Sequence, residues 1–257
     1  MYIQEIGAKN GPTIVFLHGG GMSGWIWKKQ AEHFKDYHCL VPDLPGHGKS
    51  NEPLISLRDC AQKVAELIEK NGRNKIIVVG HSLGAKVTVE LLNIKPDIVD
   101  YAVIASALYR PTKMMLWLHK PWVYKLTVWL IKYKKILELQ AKLLQFKESS
   151  DQQNFIKDMQ RLTATDLQKI YDMSYDSKLP SGLASLKTSV LVIAGAKEPN
   201  AMRQSVRDLA NATPHAKGVL VRAVNHTFPW TEADLLNRII RQWITDIPLE
   251  SDLIYEV

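Results

Sequence analysis

The residues best suited to covalent chemistry are positions 80–84, which read G-H-S-L-G. An apolar run from Ile76 to Val79 precedes them and predicts a strand, and a helical pattern from Ala85 to about Leu92 follows. A serine placed between a strand and a helix in this way sits on a strained turn that exposes its hydroxyl at the end of the sheet. We therefore predict that Ser82 is a nucleophile. The alternative is an ordinary turn with an incidental serine.

A glycine-rich segment one strand earlier suits the binding of a developing negative charge. Residues 18–21 read H-G-G-G and follow a predicted strand, Thr13 to Leu17. Attack on an acyl carbon creates an oxyanion, which bare backbone N–H groups can bind. We predict these donors at Gly20 and Leu83. The alternatives are a phosphate-binding loop or a flexible turn, but the spacing lacks both the Lys-Ser/Thr ending and the G-x-G-x-x-G pattern of phosphate loops.

A serine hydroxyl needs a base, and of the eight histidines His226 has the most suitable position. It lies just past the last predicted strand of the alternating pattern, Val219 to Val221, on a loop before the final helix. Ligands of open α/β sheets bind at the carboxyl ends of strands, where such loops converge. We predict that His226 takes the proton of Ser82. A packing role within its loop is the alternative.

A carboxylate should orient the histidine, and Glu198 is the only one in the loop that follows the predicted strand Val190 to Ile193. The chain order Ser82, Glu198, His226 is the order nucleophile, acid, histidine that this class of sheet enzyme uses. The alternative for Glu198 is a solvated loop acid.

The sequence predicts a site without a metal or another cofactor, because no histidines or carboxylates pair at metal-ligand spacing. We predict that seven further residues line the substrate pocket. They are Gly21, Met22, Trp25, His81, Trp117, Trp122 and Phe228.

The elements that must position these residues alternate between β-branched runs and longer amphipathic segments, which predicts a mostly parallel, doubly wound α/β sheet. The strands are predicted at Tyr2 to Ile6, Thr13 to Leu17, His38 to Val41, Ile76 to Val79, Tyr101 to Ile104, Val190 to Ile193 and Val219 to Val221. The helices are predicted at Asp59 to Glu69, Ala85 to Leu92, Arg203 to Ala210 and Glu232 to Thr245, with Thr231 and Asp234 as a capping box for the last.

The alternation stops for about eighty residues, which divides the chain into a core of residues 1–107 and 186–257 and an inserted helical cap of residues 108–185. Residues 108–147 hold nine basic residues and one acid, a net charge of +8, whereas the whole chain carries +7. The rest of the chain is therefore close to neutral at −1. This concentration argues against nucleic acid as a partner and leaves an anionic membrane or lipid surface as a possible contact of the cap.

One predicted cap helix has an apolar face with lysines off it. The apolar residues are Leu126, Trp129, Leu130, Tyr133, Ile136 and Leu137, and the lysines are Lys125, Lys132 and Lys135. The first interpretation is that the apolar face packs on the core and the lysines face solvent. The alternative is a lipid-touching lid, since three tryptophans crowd the same stretch.

From Thr13 through Trp243 the chain resembles lid-bearing proteins of the α/β-hydrolase fold. Residues 43–50 match that family's D-x-x-G-x-G-x-S turn, and the tract from His18 to Trp27 is similar to carboxylesterases and methylesterase-like members. The sequence departs from the pattern of this family at two places. Glu198 stands where aspartate is commoner, and the amino terminus is short for the family's first strand, which predicts a sheet lacking one edge.

These observations predict a serine hydrolase that cleaves small hydrophobic carboxylic esters through an acyl-enzyme. Thioester hydrolysis, perhydrolysis or a lyase reaction in the same pocket stays open, because fold and catalytic residues do not fix the acyl substrate. A ligand-binding protein with incidental turnover is a further alternative. We predict a cytoplasmic location, since Met1 to Gly7 has no signal-peptide character and the only cysteines are Cys39 and Cys60. The oligomeric state is left open.

Overall fold

The computed structural model describes residues 1–257, which form one eight-stranded sheet covered by helices. The strands are β1 Ile3–Gly7, β2 Thr13–Leu17, β3 His38–Pro42, β4 Ile76–His81, β5 Tyr101–Ala105, β6 Ser189–Gly195, β7 Ala216–Val221 and β8 Ile254–Glu256. Their order across the sheet is β1-β3-β2-β4-β5-β6-β7-β8. All neighbours are parallel except the outermost pairs, β1 with β3 and β7 with β8. The fold is therefore α/β.

The four strands β2 to β5 are buried along their whole length, and they are apolar on both faces. Parallel strands of this kind need helices on both sides of the sheet. The helices of the core are α1 Lys28–His33, α2 Leu57–Asn71, α3 Leu83–Ile94, α9 Asn200–Ala212, α10 Phe228–Thr231 and α11 Ala233–Ile244. Two of their pairings are α2 with α3 and α1 with α11.

All seven strands predicted from the sequence are present, with boundaries that differ by at most three residues. The expectation of a missing edge concerned the amino-terminal side of the sheet, where β1 is the outermost strand. At the opposite edge the sequence analysis did not predict β8. This carboxyl-terminal strand is only three residues long and pairs antiparallel with Val219–Val221 of β7. A run so short has no periodicity that could distinguish it from a loop.

Between β5 and β6 the chain forms five α-helices and no strand. These helices are α4 Lys113–Leu118, α5 Pro121–Ile131, α6 Lys134–Leu143, α7 Ser149–Arg161 and α8 Ala164–Tyr175. All five lie in the segment predicted as a cap, residues 108–185. No helix of the chain has the length and apolar character needed to span a bilayer.

The prediction of one apolar cap helix was wrong in the extent of the helix and in the face that packs on the core. It is two helices, because α5 ends at Ile131 and α6 begins at Lys134. Leu126 and Trp129, on the face expected to pack on the core, are exposed. The buried residues of α5 are instead Tyr124 and Ile131. Both sides of this helix are apolar, so the pattern alone could not indicate which side faces the core.

The predicted capping box was also wrong. Helix α11 starts at Ala233, and Thr231 donates its hydroxyl hydrogen bond to the carbonyl of Thr227. The capping box of this protein is at the start of α8, where Thr163 and Asp166 bond to each other's backbone N–H. The short helix α10 occupies the position expected for the cap of α11, which explains the difference.

Candidate active site

Ser82 occupies the sharp turn between β4 and α3. Its φ of +55° and ψ of −113° lie in a region that residues with a side chain rarely adopt. Its backbone N–H donates a 2.9 Å hydrogen bond to the carbonyl of Ala105, the last residue of β5, which holds the turn at the carboxyl end of the sheet. The strained turn predicted for Ser82 is thus present.

The glycines on either side of Ser82 leave no room for a side chain. A Cβ atom at Gly80 would lie 2.3 Å from Thr88 Oγ1, and one at Gly84 would lie 2.2 Å from the carbonyl oxygen of Leu17. These separations are far below van der Waals contact. The glycines therefore let α3 start close against β2 and β4.

Glu198 and His226 meet at the same edge of the sheet, although 28 positions separate them. Glu198 Oε2 accepts a 2.8 Å hydrogen bond from His226 Nδ1. Glu198 Oε1 accepts from Ser106 Oγ at 2.7 Å and from the N–H of Gly195 at 2.8 Å. Only 1% of the Glu198 side chain is exposed, so the alternative of a solvated loop acid was wrong. The bond occupies Nδ1 of His226 and leaves Nε2 as the ring nitrogen available to Ser82.

His81 packs against His226 and contacts its backbone. Its Nε2 lies 3.1 Å from the backbone carbonyl oxygen of His226, and the two ring centroids are 4.7 Å apart. Burial, reinforced by the neighbouring His226, holds the pKa of His81 well below the usual histidine range. His81 is therefore neutral near pH 7 and can donate this hydrogen bond without placing a positive charge beside His226.

The two predicted oxyanion donors lie on adjacent segments. A Cβ atom built on Gly20 would be 3.6 Å from the Leu83 side chain and 2.5 Å from Ile170 of α8. Leu83 is the first residue of α3, so its N–H has no acceptor within the helix. Only glycine fits at position 20, between the cap and the turn that carries Ser82.

The H-G-G-G segment is anchored by His18, which is fully buried. Its Nδ1 lies 2.8 Å from the carbonyl oxygen of Gly19, and its Nε2 accepts a 2.9 Å hydrogen bond from the N–H of Leu44. Burial, with a smaller effect of His47, lowers the pKa of His18 to about 3. Neutral His18 therefore links this segment to the turn of residues 43–50. In that turn Asp43 accepts hydrogen bonds from backbone N–H groups of Gly24 and Lys49.

One cavity of about 330 Å³ contains the three predicted catalytic residues. Its lining residues are Ser82, Lys86, Ser106, Leu108, Met115, Tyr171, Ser174, Tyr175, Glu198, Pro199, Ala201, Met202 and His226. The volume is at the small end of the range for ligand pockets. Helices α4 and α8 of the cap supply part of the wall, so the cavity is bounded by both the core and the cap.

None of the seven residues predicted for the substrate pocket lines this cavity. His81 and Phe228 are fully buried in the core. Trp117 and Trp122 are exposed on the outside of the cap. The structure places none of these four at the cavity. For Trp117 and Trp122 the reason is that the sequence does not show which side of a cap helix faces the core.

The three remaining pocket predictions belong to the glycine-rich loop. Gly21 and Met22 line a second, mainly polar cavity of about 210 Å³. Trp25 donates from Nε1 to Asp158 of α7 at 2.8 Å and packs its ring against Phe146. Trp25 therefore connects the core to the cap and does not contact the space beside Ser82.

Ser106 and Lys86 are cavity residues that the sequence analysis missed. Ser106 directly follows β5 at the edge of the sheet that carries the other loops, and this position was the available signal. Lys86 lies one helical turn after Ser82 on a buried face of α3. A lone lysine among the apolar residues of that helix was the signal in its case.

A sequence model of the alpha/beta hydrolase family matches residues 14–239. The (E)-2-((N-methylformamido)methylene)succinate hydrolase of Acinetobacter baylyi is 22% identical over 250 residues, 93% of this chain and 92% of that protein. The pimeloyl-(acyl-carrier protein) methyl ester esterase of Vibrio campbellii is 34% identical over 99 residues, 38% of each chain. An esterase structure from Exiguobacterium antarcticum superposes with a TM-score of 0.76 at 15% identity, covering 95% of both chains. Since the family match spans most of its length, this chain belongs to the alpha/beta hydrolase family.

Proposed function

We propose that this protein is a cofactor-independent serine hydrolase that cleaves small apolar carboxylic esters, with Ser82 as nucleophile, His226 as base and Glu198 as the orienting acid. The observation that carries the proposal is the cavity itself. Ser82 on its strained turn and the hydrogen-bonded pair of Glu198 and His226 line the same space of about 330 Å³.

In the acylation step, Ser82 Oγ attacks the ester carbonyl carbon while His226 Nε2 takes the hydroxyl proton. The carbonyl oxygen becomes an oxyanion, which accepts hydrogen bonds from the N–H groups of Gly20 and Leu83. The tetrahedral intermediate then expels the alcohol, to which the His226 imidazolium returns the proton. Ser82 is left as an acyl ester.

In the deacylation step, water attacks the acyl carbon and His226 again removes a proton. Collapse of the second intermediate releases the carboxylic acid and restores the Ser82 hydroxyl. Glu198 accepts from Nδ1 throughout, which keeps the proton of neutral His226 on that nitrogen and compensates the imidazolium charge. The burial of Glu198 and its three donors favour this fixed role.

The cavity also limits the substrate. Leu108, Met115, Pro199 and Met202 provide apolar wall, which suits a short acyl or alkyl group. The named activity of the Vibrio campbellii relative, a methyl ester esterase, supports ester over other acyl chemistry, although that similarity covers 38% of the chain. The predicted cytoplasmic location is part of this proposal, and the free, buried state of both cysteines suits it.

A substrate panel with Ser82→Ala as the control tests the proposal. We expect hydrolysis of p-nitrophenyl esters with short acyl chains, slower hydrolysis of long-chain esters, and labelling of Ser82 alone by a fluorophosphonate. Preference for acyl-CoA would favour a thioesterase instead. Ligand binding without turnover above the Ser82→Ala level would favour a binding protein. Labelling of a different serine would overturn the catalytic assignment.

A further inference from the structure

The outer cap surface, defined here as the exposed side chains of α4, α5 and α6 between residues 113 and 143, is strongly apolar. The whole protein exposes 15 large hydrophobic side chains, and 11 of them lie in this segment. Trp117, Trp122 and Trp129 are 68%, 59% and 53% exposed. The other four tryptophans of the chain are not exposed. An apolar patch of this kind on a protein surface indicates a binding face.

The geometry of α5 explains why this surface needs a partner. Tyr124 and Ile131 are buried against the rest of the protein. Trp122, Leu126 and Trp129, at positions i, i+4 and i+7, form an exposed stripe on the helix. A helix that is apolar on more than one face is ordinarily covered on each of them. The protein covers only one.

The stripe continues onto α6. The ring of Trp129 lies 5.3 Å from that of Tyr133, which links the end of α5 to the start of α6. On α6, Ile136, Leu139 and Leu143 are exposed at positions i, i+3 and i+7. The two helices thus present one continuous apolar band.

Basic side chains border this band. The lysines exposed on the outer cap surface are numbered 113, 120, 125, 132, 134, 135 and 142. Within this set one ion pair forms, between Lys134 and Glu138 at 3.6 Å, and the other six lysines have no acidic partner within 4 Å. A second copy of this chain would bring another positive surface against the first, and the repulsion disfavours it as the occupant.

We propose that the outer cap surface binds the surface of anionic phospholipid membranes. Tryptophan rings are favoured at the boundary between headgroups and acyl chains, because the ring is apolar and its N–H seeks a polar partner. Lysines beside an anionic headgroup layer gain electrostatic attraction. The band of tryptophans and leucines is bordered by lysines, six of which have no acidic partner, and it matches both requirements of an interfacial site.

One of these three helices, α4, borders the candidate active site. Met115 of α4 lines the cavity, while its neighbours Met114 and Trp117 are exposed on the outer cap surface. A membrane-bound molecule would therefore hold its cavity close to the lipid. The membrane contact does not depend on the proposed function. Only the use of lipid-dissolved esters as substrates rests on the proposed function.

Vesicle binding by the Ser82→Ala protein tests the proposal without any contribution from catalysis. We expect co-sedimentation with vesicles of phosphatidylcholine and phosphatidylserine at low salt, and little with phosphatidylcholine alone. Because screening is strong at 1 M salt, the binding should be lost there. Tryptophan emission should shift to shorter wavelength on binding, because three tryptophans leave water.

Two triple variants separate the contributions of the lysines and of the tryptophans to vesicle binding. Lys120→Gln/Lys125→Gln/Lys132→Gln should weaken binding to anionic vesicles by about fivefold per lysine, on the order of 100-fold together. Trp117→Ala/Trp122→Ala/Trp129→Ala should remove the emission shift and most of the binding. These side chains are exposed, so the variants should keep the thermal unfolding midpoint of the parent.

Two control variants change the net charge or an exposed apolar side chain outside the outer cap surface. Lys9→Gln/Lys35→Gln/Lys70→Gln alters the net charge equally at exposed positions outside the cap, and Ile247→Ala removes an exposed apolar side chain. Both should bind like the parent. Absence of binding to anionic vesicles at low salt, or equal binding by cap variants and controls, would overturn the proposal. A dimer that the tryptophan variant dissociates, without vesicle binding, would show that the occupant is a second copy.

Discussion

Ser106 holds Glu198 from the neighbouring strand end, through a 2.7 Å hydrogen bond from its hydroxyl to Oε1 of the carboxylate. Ser106 has a φ of +58° and is itself fixed by a backbone hydrogen bond to the carbonyl of Ile193. The carboxylate that orients His226 is thus positioned by a residue 92 positions earlier in the chain. This arrangement predicts that Ser106 positions the hydrogen-bonded pair of Glu198 and His226.

Ser106→Ala should lower kcat by about 10- to 100-fold, the range expected for losing one hydrogen bond to a charged group. KM should change little, because the hydroxyl is committed to Glu198. Steady-state kinetics on a p-nitrophenyl ester measures both values. Ser174→Ala is the matched control, since Ser174 lines the same cavity but bonds to Ile170 of its own helix. Equal losses in the two variants would show that Ser106 has no special role.

Glu198→Gln should lower kcat by about 10³- to 10⁴-fold, less than His226→Ala. The Ser106 hydroxyl and the Gly195 N–H both donate to Oε1, so the glutamine oxygen should take that place. Its NH₂ group would then face Nδ1 of His226 and move the imidazole proton to Nε2. That tautomer cannot accept the proton of Ser82. Retention of more than about half the wild-type kcat would mean that another residue orients His226.

The positions of Ser82, Glu198 and His226 could be predicted because each follows a recognisable strand at the same edge of a parallel sheet. Chain order and strand ends fix such residues to within a loop. Ser106 follows a strand in the same way, but a single serine carries no pattern that separates its role from that of other loop serines. The strands β2 to β5 were predictable for the same reason, since each is a short, largely apolar run that is buried along its whole length.

The pocket and the cap were not predictable in the same way. The cavity wall depends on how α4 and α8 lie over the core, a long-range packing that periodicity does not encode. Met115 faces the cavity and Trp117 faces outward on the same short helix. The helix α5 is apolar on two sides, and the sequence gives no reason to prefer either as the inner one.

Lys86 connects the start of the cap to the residue that directly follows α8, the last cap helix. Its buried ammonium donates hydrogen bonds to the carbonyls of Leu108 and Asp176, which begin and end the segment of cap helices, and it lies 3.4 Å from the centroid of the Tyr109 ring. Lys86→Met should remove both bonds and make the cap more sensitive to limited proteolysis than the core. Lys95→Met, at the exposed end of the same helix, is the control. Unchanged cleavage of the cap in Lys86→Met would contradict this role.

The same lysine should make stability depend on pH. Burial lowers the pKa of Lys86 to about 7 from an ordinary value of 10.5. At a pH between these two pKa values, Lys86 is protonated in the unfolded chain and has released its proton in the folded chain. The free energy of unfolding therefore rises with pH in this interval. From pH 7 to pH 9 the wild type should gain about 2 kcal/mol relative to Lys86→Met. Urea unfolding of both proteins at the two pH values measures the difference, and parallel pH dependences would contradict it.

Below neutral pH, stability should fall because three buried histidines resist protonation. Burial lowers the pKa of His18, His47 and His81. As pH drops below 6.5, the unfolded chain takes up protons at these positions and the folded chain does not, so acid favours unfolding. With a pKa of about 3 in the folded state, His18 alone should cost about 1 kcal/mol between pH 7 and pH 5.5.

Urea unfolding at pH 7 and pH 5.5 measures this loss, and two histidine variants identify its source. His47→Gln removes one of the buried groups and should make the pH dependence shallower, because one fewer proton is taken up on unfolding. His33→Gln, which changes an exposed histidine, is the matched control. A wild-type free energy of unfolding that stays constant over this interval would mean that the buried histidines accept protons in the folded protein. The hydrogen bond from the Leu44 N–H to His18 Nε2 would then have to break, and the H-G-G-G segment would lose its anchor to the turn of residues 43–50.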